Sequence, residues 1–146
     1  VALSDEDHVE YIDVPESAAV MLYSNSIGET LSKVMSETVL RMDGTKATPL
    51  PELYYMLAEL KNLQDYNKIL ASYADGYLYL VIAQGKSLLL CNSYPAQDFT
   101  TAEYFIFLAM KKLQLNPEVS TISFRTQLNE DQEMSLYRYF KNVEQL

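Results

Sequence analysis

The chain has 146 residues, 49% of them apolar, a length and composition that suit one globular protein with a substantial core. Its 20 acidic and 11 basic residues leave a net charge of −9, and no run of lysines and arginines offers a basic patch, which excludes a phosphate-backbone binder; no nucleic-acid partner is expected. One cysteine, Cys91, excludes an intrachain disulfide and fits a cytoplasmic setting, and no stretch approaches the ~18 uninterrupted apolar residues of a membrane span, so no membrane role is expected.

The opening VALSDEDHVE lacks the charged and apolar regions of a secretory signal, so no uncleaved signal peptide is expected. The absent initiator methionine points to a processed or internal start. Val9 to Val14 alternates apolar and polar side chains and reads as a strand. Pro15 and Glu16 suit a first helical turn, which predicts a helix over Ser17 to Tyr23. Ser26 and Glu29 have capping-box spacing ahead of a second short helix, and Thr38 to Met42 reads as a strand ending at Asp43-Gly44. Gly44 to Pro51 is linker-like. From Pro51 a helix is expected, with Leu53, Met56, Leu57 and Leu60 on one face.

Lys68 to Ser93 carries the clearest pattern. Ile69 to Ala74 and Tyr77 to Ala83 are β-rich runs separated by Asp75-Gly76, a strong hairpin signal, and Gln84-Gly85 turns the chain into a third strand, Lys86 to Ser93. Thr100 and Glu103 then form a capping box for a helix over Thr101 to Gln114, stopped by Asn116-Pro117. Thr121 to Gln127 reads as a fourth strand. Asn129 and Gln132 open a closing helix that points Met134, Leu136, Tyr137, Phe140 and Val143 inward. The order β-β-β-α-β-α is that of a ribonuclease-H-like or actin-like half-domain: an α/β fold, a three-stranded antiparallel meander then α-β-α, with a mixed sheet flanked by helices. The expected division is residues 1–66, a strand and helix segment, and 67–146, the half-domain.

Motifs that could carry chemistry are incomplete. Gly85-Lys86-Ser87 ends like a phosphate loop, but the first glycine's position is Leu80 and a strand follows, so a hairpin turn is the reading. Arg41-Met42-Asp43-Gly44-Thr45 resembles an aspartyl-phosphatase motif whose nucleophilic position is Arg41, which leaves a turn. Ribonuclease chemistry needs carboxylates converging on two metals. The strands offer only Asp75, at a turn, and Glu103 serves the expected cap. His8 is the one histidine, which excludes a histidine triad or a multi-histidine metal site; no metal site is expected. Cys91 in LLLCNSY reads as a buried, inert thiol. Asp75-Gly76 sits where actin-like ATPases place a phosphate loop, normally Asp-x-Gly-Thr; Ala-Asp-Gly-Tyr has no spacer and no hydroxyl, which favours a plain turn. Tyr77 and Tyr79 share one strand face, opposite Leu78, Leu80 and Ile82. Packing under a helix is favoured for them over a partner surface, where tyrosine is enriched.

The segment Leu88 to Glu118 resembles a bacterial domain-of-unknown-function family with a degenerate actin-like ATPase fold. The resemblance rests on the Asn92-Ser93-Tyr94 strand end, on Asp98-Phe99 leading into the aromatic helix Glu103 to Phe107, and on the Leu113 to Glu118 exit. The closing Leu136-Tyr137, Tyr139 and Val143 and the Val14-Pro15 step also match. The resemblance implies two such halves in tandem, of which this chain is mostly the second, with ATP in the cleft between halves. Relatives tend to carry a glycine after the fourth strand, where this chain reads Phe124-Arg125-Thr126-Gln127.

The expectation is a non-catalytic scaffold for protein–protein assembly, with a protein partner or a homodimer, contacts through Tyr77 and Tyr79, and no cofactor. Its warrant is the broken active-site chemistry, the tyrosine face, and an apolar helix that outgrows the core. The competing reading is a weak ATP-binding, actin-like ATPase with Asp75 and Gly76 at phosphate and magnesium. An enzyme acting on a small molecule would need a polar pocket that the sequence does not place.

Overall fold

The computed structural model describes residues 9–15, 18–24, 34, 44 and 50–146. They fall into two compact units, Val1–Tyr54 and Tyr55–Leu146. Apart from Val34, the expected helix and strand within residues 25–43 lie outside the described residues, as do His8 and, apart from Gly44, the Arg41-to-Thr45 motif.

In the first unit, β1 (Val9–Val14) forms as the alternation predicts. The predicted helix over Ser17 to Tyr23 is overturned: β2 (Ala19–Ser24) pairs antiparallel with β1, from Val14↔Ala19 to Val9↔Ser24. Ala18 turns the chain with φ 48°, its amide donating to the Pro15 carbonyl at 3.1 Å. Across the pair, the Tyr23 hydroxyl donates to Glu10 at 2.9 Å. AVMLYS has no strong strand preference of its own, and cross-strand pairing decides its state.

The second unit is built on a five-stranded mixed sheet in the order β5-β4-β3-β6-β7. Its strands are β3 (Asn67–Ala74), β4 (Tyr77–Gln84), β5 (Ser87–Pro95), β6 (Thr121–Phe124) and β7 (Asn142–Gln145). The meander β3-β4-β5 is antiparallel as expected, and β6 and β7 run parallel to β3. Gln84 pairs with Ser87, so the second turn is Gly85-Lys86, one residue later than the sequence suggests; Gly85 takes the positive φ of 55°. Three described helices flank the sheet: α1 (Glu52–Glu59), α2 (Phe99–Lys112) and α3 (Glu130–Tyr137).

One sheet face carries Ile69, Ala71, Leu78, Leu80, Ile82, Ile122, Phe124 and Val143, packed with Ala102, Ile106, Ala109 and Met110 of α2 and Leu136 of α3. The opposite face buries Leu70, Ser72, Val81 and Ala83, while α1 buries Met56 and Leu57 and is followed by buried Leu60. Lys68, on that face, fastens the end of α1 by donating from Nζ to the Leu60 carbonyl at 2.8 Å. The predicted apolar face of α1 is therefore correct.

α2 is satisfied by the fold's own aromatics. Phe105 stacks on Tyr94 at 4.7 Å, and Phe107 meets Tyr139 at 4.9 Å and Phe140 at 5.8 Å. Only Tyr104 of its apolar run is exposed, so the helix does not outgrow the core. α2 ends in a Schellman motif: Leu115 N–H donates to Met110 O, Gln114 N–H to Lys111 O, and Gln114 adopts φ 57°. Glycine adopts that conformation without a Cβ penalty, so Gln114→Gly is expected to raise stability by about 0.5–1 kcal/mol, read as a higher Tm.

The closing helix is shorter than predicted. α3 stops at Tyr137, and Val143 lies in β7, paired with Ile122. Lys141 N–H donates to the carbonyls of Pro117 and Ser120, steering the chain out of the helix and alongside β6. Leu136 and Phe140 are buried as expected, but Met134 and Tyr137 are exposed.

Candidate functional site

Open α/β sheets bind ligands beyond the carboxyl ends of their strands, at the switch between neighbouring connections. In the second unit that region holds the exits of β3 and β6, the β3-β4 turn and the start of α2. Asp75 and Gly76 form the turn, with φ 52° and 75°, and pairing runs up to Ala74↔Tyr77. These are the positive φ values of a type I′ hairpin, the plain turn that Asp-Gly predicts. Asp75 is exposed at its tip. The Gly76 carbonyl accepts from Ala96 N–H at 2.8 Å, tying the turn to the end of β5. A two-residue loop contains too little chain to wrap successive amides around a phosphate.

The first turn of α2 is a second place where an anion could sit, since helix amides converge there. Asp98 occupies it: the Asp98 carboxylate accepts from Thr101 N–H at 2.7 Å. Asp98, not Thr100, is thus the cap, and the expected Thr100–Glu103 box is corrected. Phe99 then starts the helix and packs against Tyr73 at 5.7 Å and Phe124 at 6.2 Å. Glu103 is released from the role expected of it, and its Oε1 is buried without a hydrogen-bond partner.

The Thr101 hydrogen bonds hold the Asp98 carboxyl below its ordinary pKa. The unfolded chain therefore binds this proton more tightly. The stabilisation is complete above the unfolded pKa and is lost as pH falls through the lower, folded value. Asp98→Asn keeps a capping oxygen without a titrating charge. Wild type is expected to lose stability relative to Asp98→Asn as pH drops below about 4, measured as the difference in Tm between the two proteins across pH.

The exit of β6 is the third place, and it is knitted shut by the chain. Thr126 Oγ1 accepts from Tyr73 N–H at 2.9 Å, bridging the ends of β3 and β6. Gln145 Nε2 donates to the carbonyls of Phe124 at 2.9 Å and Thr126 at 3.1 Å, while its Oε1 accepts from Leu128 N–H at 3.1 Å. The Arg125 guanidinium lies over the Tyr55 ring at 5.7 Å. Thr126, Gln145 and the Arg125–Tyr55 contact are not visible in sequence. The only signal was the missing glycine after the fourth strand.

Tyr77 is exposed at 45% and Tyr79 half-buried, with ring centroids 6.4 Å apart. The favoured packing of this pair under a helix does not describe Tyr77, which faces solvent. Gly85 donates its N–H to Tyr66 O at 2.8 Å, and the Tyr66 ring lies 3.2 Å from where a Cβ would stand, consistent with a hairpin turn. Cys91 is half-buried on the edge strand, and burial pushes its thiol pKa up. Among the described residues no group of three or more His, Cys, Asp or Glu could hold a metal, and no helix is long and apolar enough to cross a membrane.

A comparison with curated proteins finds no match. A crystal structure from Bacteroides thetaiotaomicron, described as a protein with actin-like ATPase fold and unknown function, superimposes with a TM-score of 0.73 at 16% identity. The match covers 99% of this chain and 55% of that one, so the chain spans about half the length of the protein it resembles. At this identity the likeness shows the fold, which is actin-like, as the strand order of the second unit indicates. The family described as "Protein of unknown function (DUF3822)" matches residues 1–143, and the chain belongs to that family.

Proposed function

We propose that the protein is a non-catalytic, actin-like scaffold for protein–protein assembly. The observation that carries this reading is that the chain's own groups occupy each place where the carboxyl edge of the sheet would meet a nucleotide. The Asp75-Gly76 loop is closed at two residues, Asp98 fills the start of α2, and Gln145 ties down the β6 exit. Exposed Tyr77 beside Tyr79 supplies the kind of side chain that protein contacts favour. A cytoplasmic location accords with the single cysteine. The fold by itself supports no ATPase assignment.

The test is calorimetric titration with ATP and ADP, with and without magnesium, on this chain and on any longer product of the same gene. No saturable binding is expected from either protein. Magnesium-dependent ATP binding that Asp75→Ala abolishes would overturn the reading and put the nucleotide at the β3-β4 turn.

A further inference from the structure

The β1-β2 hairpin of the first unit has two unlike faces. Side chains alternate along each strand, so Glu10, Ile12 and Val14 share one face with Ala19, Met21 and Tyr23. Val14 on that face is buried, and Ile12, Met21 and Tyr23 are half-buried. The other face carries Val9, Tyr11 and Asp13 beside Val20, Leu22 and Ser24. Its apolar members stand in solvent: Val9 is 49% exposed, Tyr11 73%, Val20 57% and Leu22 71%. Tyr11 lies directly opposite Leu22, with Val9 diagonal to Leu22 and Val20 diagonal to Tyr11, so the four form one continuous patch. The outward face of an antiparallel sheet is ordinarily polar, and a contiguous apolar patch on it marks an interaction surface.

The charge around this patch is one-sided. Residues 1–32 contain seven of the chain's 20 acidic residues and none of its 11 lysines and arginines. One of those acids, Asp13, is exposed on the patch face itself, opposite Val20. A second copy docked face to face would set each acidic segment against its like. An anionic membrane or a nucleic acid would meet the same repulsion, whereas a cationic partner is attracted. Shape narrows the choice further. The face is two strands wide, about 10 Å, which matches the diameter of an α-helix with its side chains. A two-stranded sheet also gains stability when a helix packs on it.

We propose that the outward face of the β1-β2 hairpin docks a basic amphipathic helix of a protein partner. The helix lays its apolar stripe on Val9, Tyr11, Val20 and Leu22 and sets a lysine or arginine beside Asp13. This surface rests on the scaffold reading and gives that scaffold a partner of defined chemistry.

Fluorescence anisotropy tests this with two labelled synthetic amphipathic helices that share a leucine stripe, one with a lysine polar face and one with a glutamate polar face. Titrated with the full chain at physiological salt, the lysine helix should bind saturably, and the glutamate helix at least about tenfold more weakly. Tyr11→Thr and Leu22→Thr keep a strand-forming residue while removing apolar surface. Each should weaken the lysine helix about tenfold at an unchanged Tm. Asp13→Asn should reduce the salt dependence of binding. Tyr104→Ala, which removes an exposed aromatic from α2, should bind as wild type does. Hydrogen exchange should slow on binding at the amides of residues 9–14 and 19–24.

No saturable binding of the lysine helix overturns the proposal, as does binding that folded Tyr11→Thr and Leu22→Thr both leave unchanged. Equal binding of the two helices overturns the choice of a basic partner. A dimer in sedimentation velocity, or capture on anionic vesicles, that Leu22→Thr abolishes would give the face to a different occupant and overturn it too. None of these outcomes decides the scaffold reading, which fails separately, on nucleotide binding.

Discussion

Replacing Phe124 by alanine is expected to cost about 3–5 kcal/mol, a large share of the roughly 5–15 kcal/mol that holds a domain together. Phe124 ends β6, the strand next to β3 at the centre of the sheet, and is fully buried. Its partner across the ladder is Ala71, too small to fill the space the ring would leave. The ring also touches Phe99, the first residue of α2, which in turn meets Tyr73. Removing it opens a cavity that neither the helix start nor the sheet can close without moving the other, and such cavities are the costly kind. Urea unfolding should show a lower midpoint at an unchanged slope. Tyr104→Ala, a comparable loss of aromatic volume at a site 61% exposed, should stay within about 0.5 kcal/mol. If Phe124→Ala cost no more than that, the packing described here would be wrong.

The parts of this fold that were legible in sequence are those whose signals are local. Asp75-Gly76 between two alternating runs fixes the first hairpin, because few residue pairs accept positive φ at both turn positions. Asn129 and Gln132 form the capping box that their spacing announces. The errors come from signals that compete or lie far apart. Asp98 and Thr100 are both credible caps, and the choice falls to Asp98, whose use lets Phe99 start the helix against Tyr73 and Phe124. Leu136, Phe140 and Val143 mimic helical spacing, yet Val143 belongs to a strand because Ile122, 21 residues earlier, is its neighbour in the sheet.

The candidate site was half legible for the same reason. The broken phosphate-loop pattern at Asp75-Gly76 could be read directly. Gln145 could not, because its partners lie 17 to 21 residues upstream and no local motif marks a glutamine that will close a loop.

Leu136→Ala is expected to cost about 2–5 kcal/mol, and to do so unevenly across the second unit. α3 is eight residues long, too short to persist without tertiary contacts, and Leu136 is its one buried residue. The Leu136 carbonyl accepts from both Tyr139 N–H and Phe140 N–H, so the turn that delivers the chain to β7 is built on the same residue. Phe107 of α2 holds that turn from the other side through Tyr139 and Phe140. With Leu136 truncated, α3 and the short β7 should open together while the β3-β4-β5 meander stays closed, a sub-global unfolding. Hydrogen exchange distinguishes this from a general loss: amides of residues 130–145 should lose protection well before those of β3 and β4. Met134→Ala, on the same helix but 64% exposed, should leave both sets within about 0.5 kcal/mol of wild type. Equal loss of protection across the whole sheet would mean that β7 and the meander form one cooperative unit.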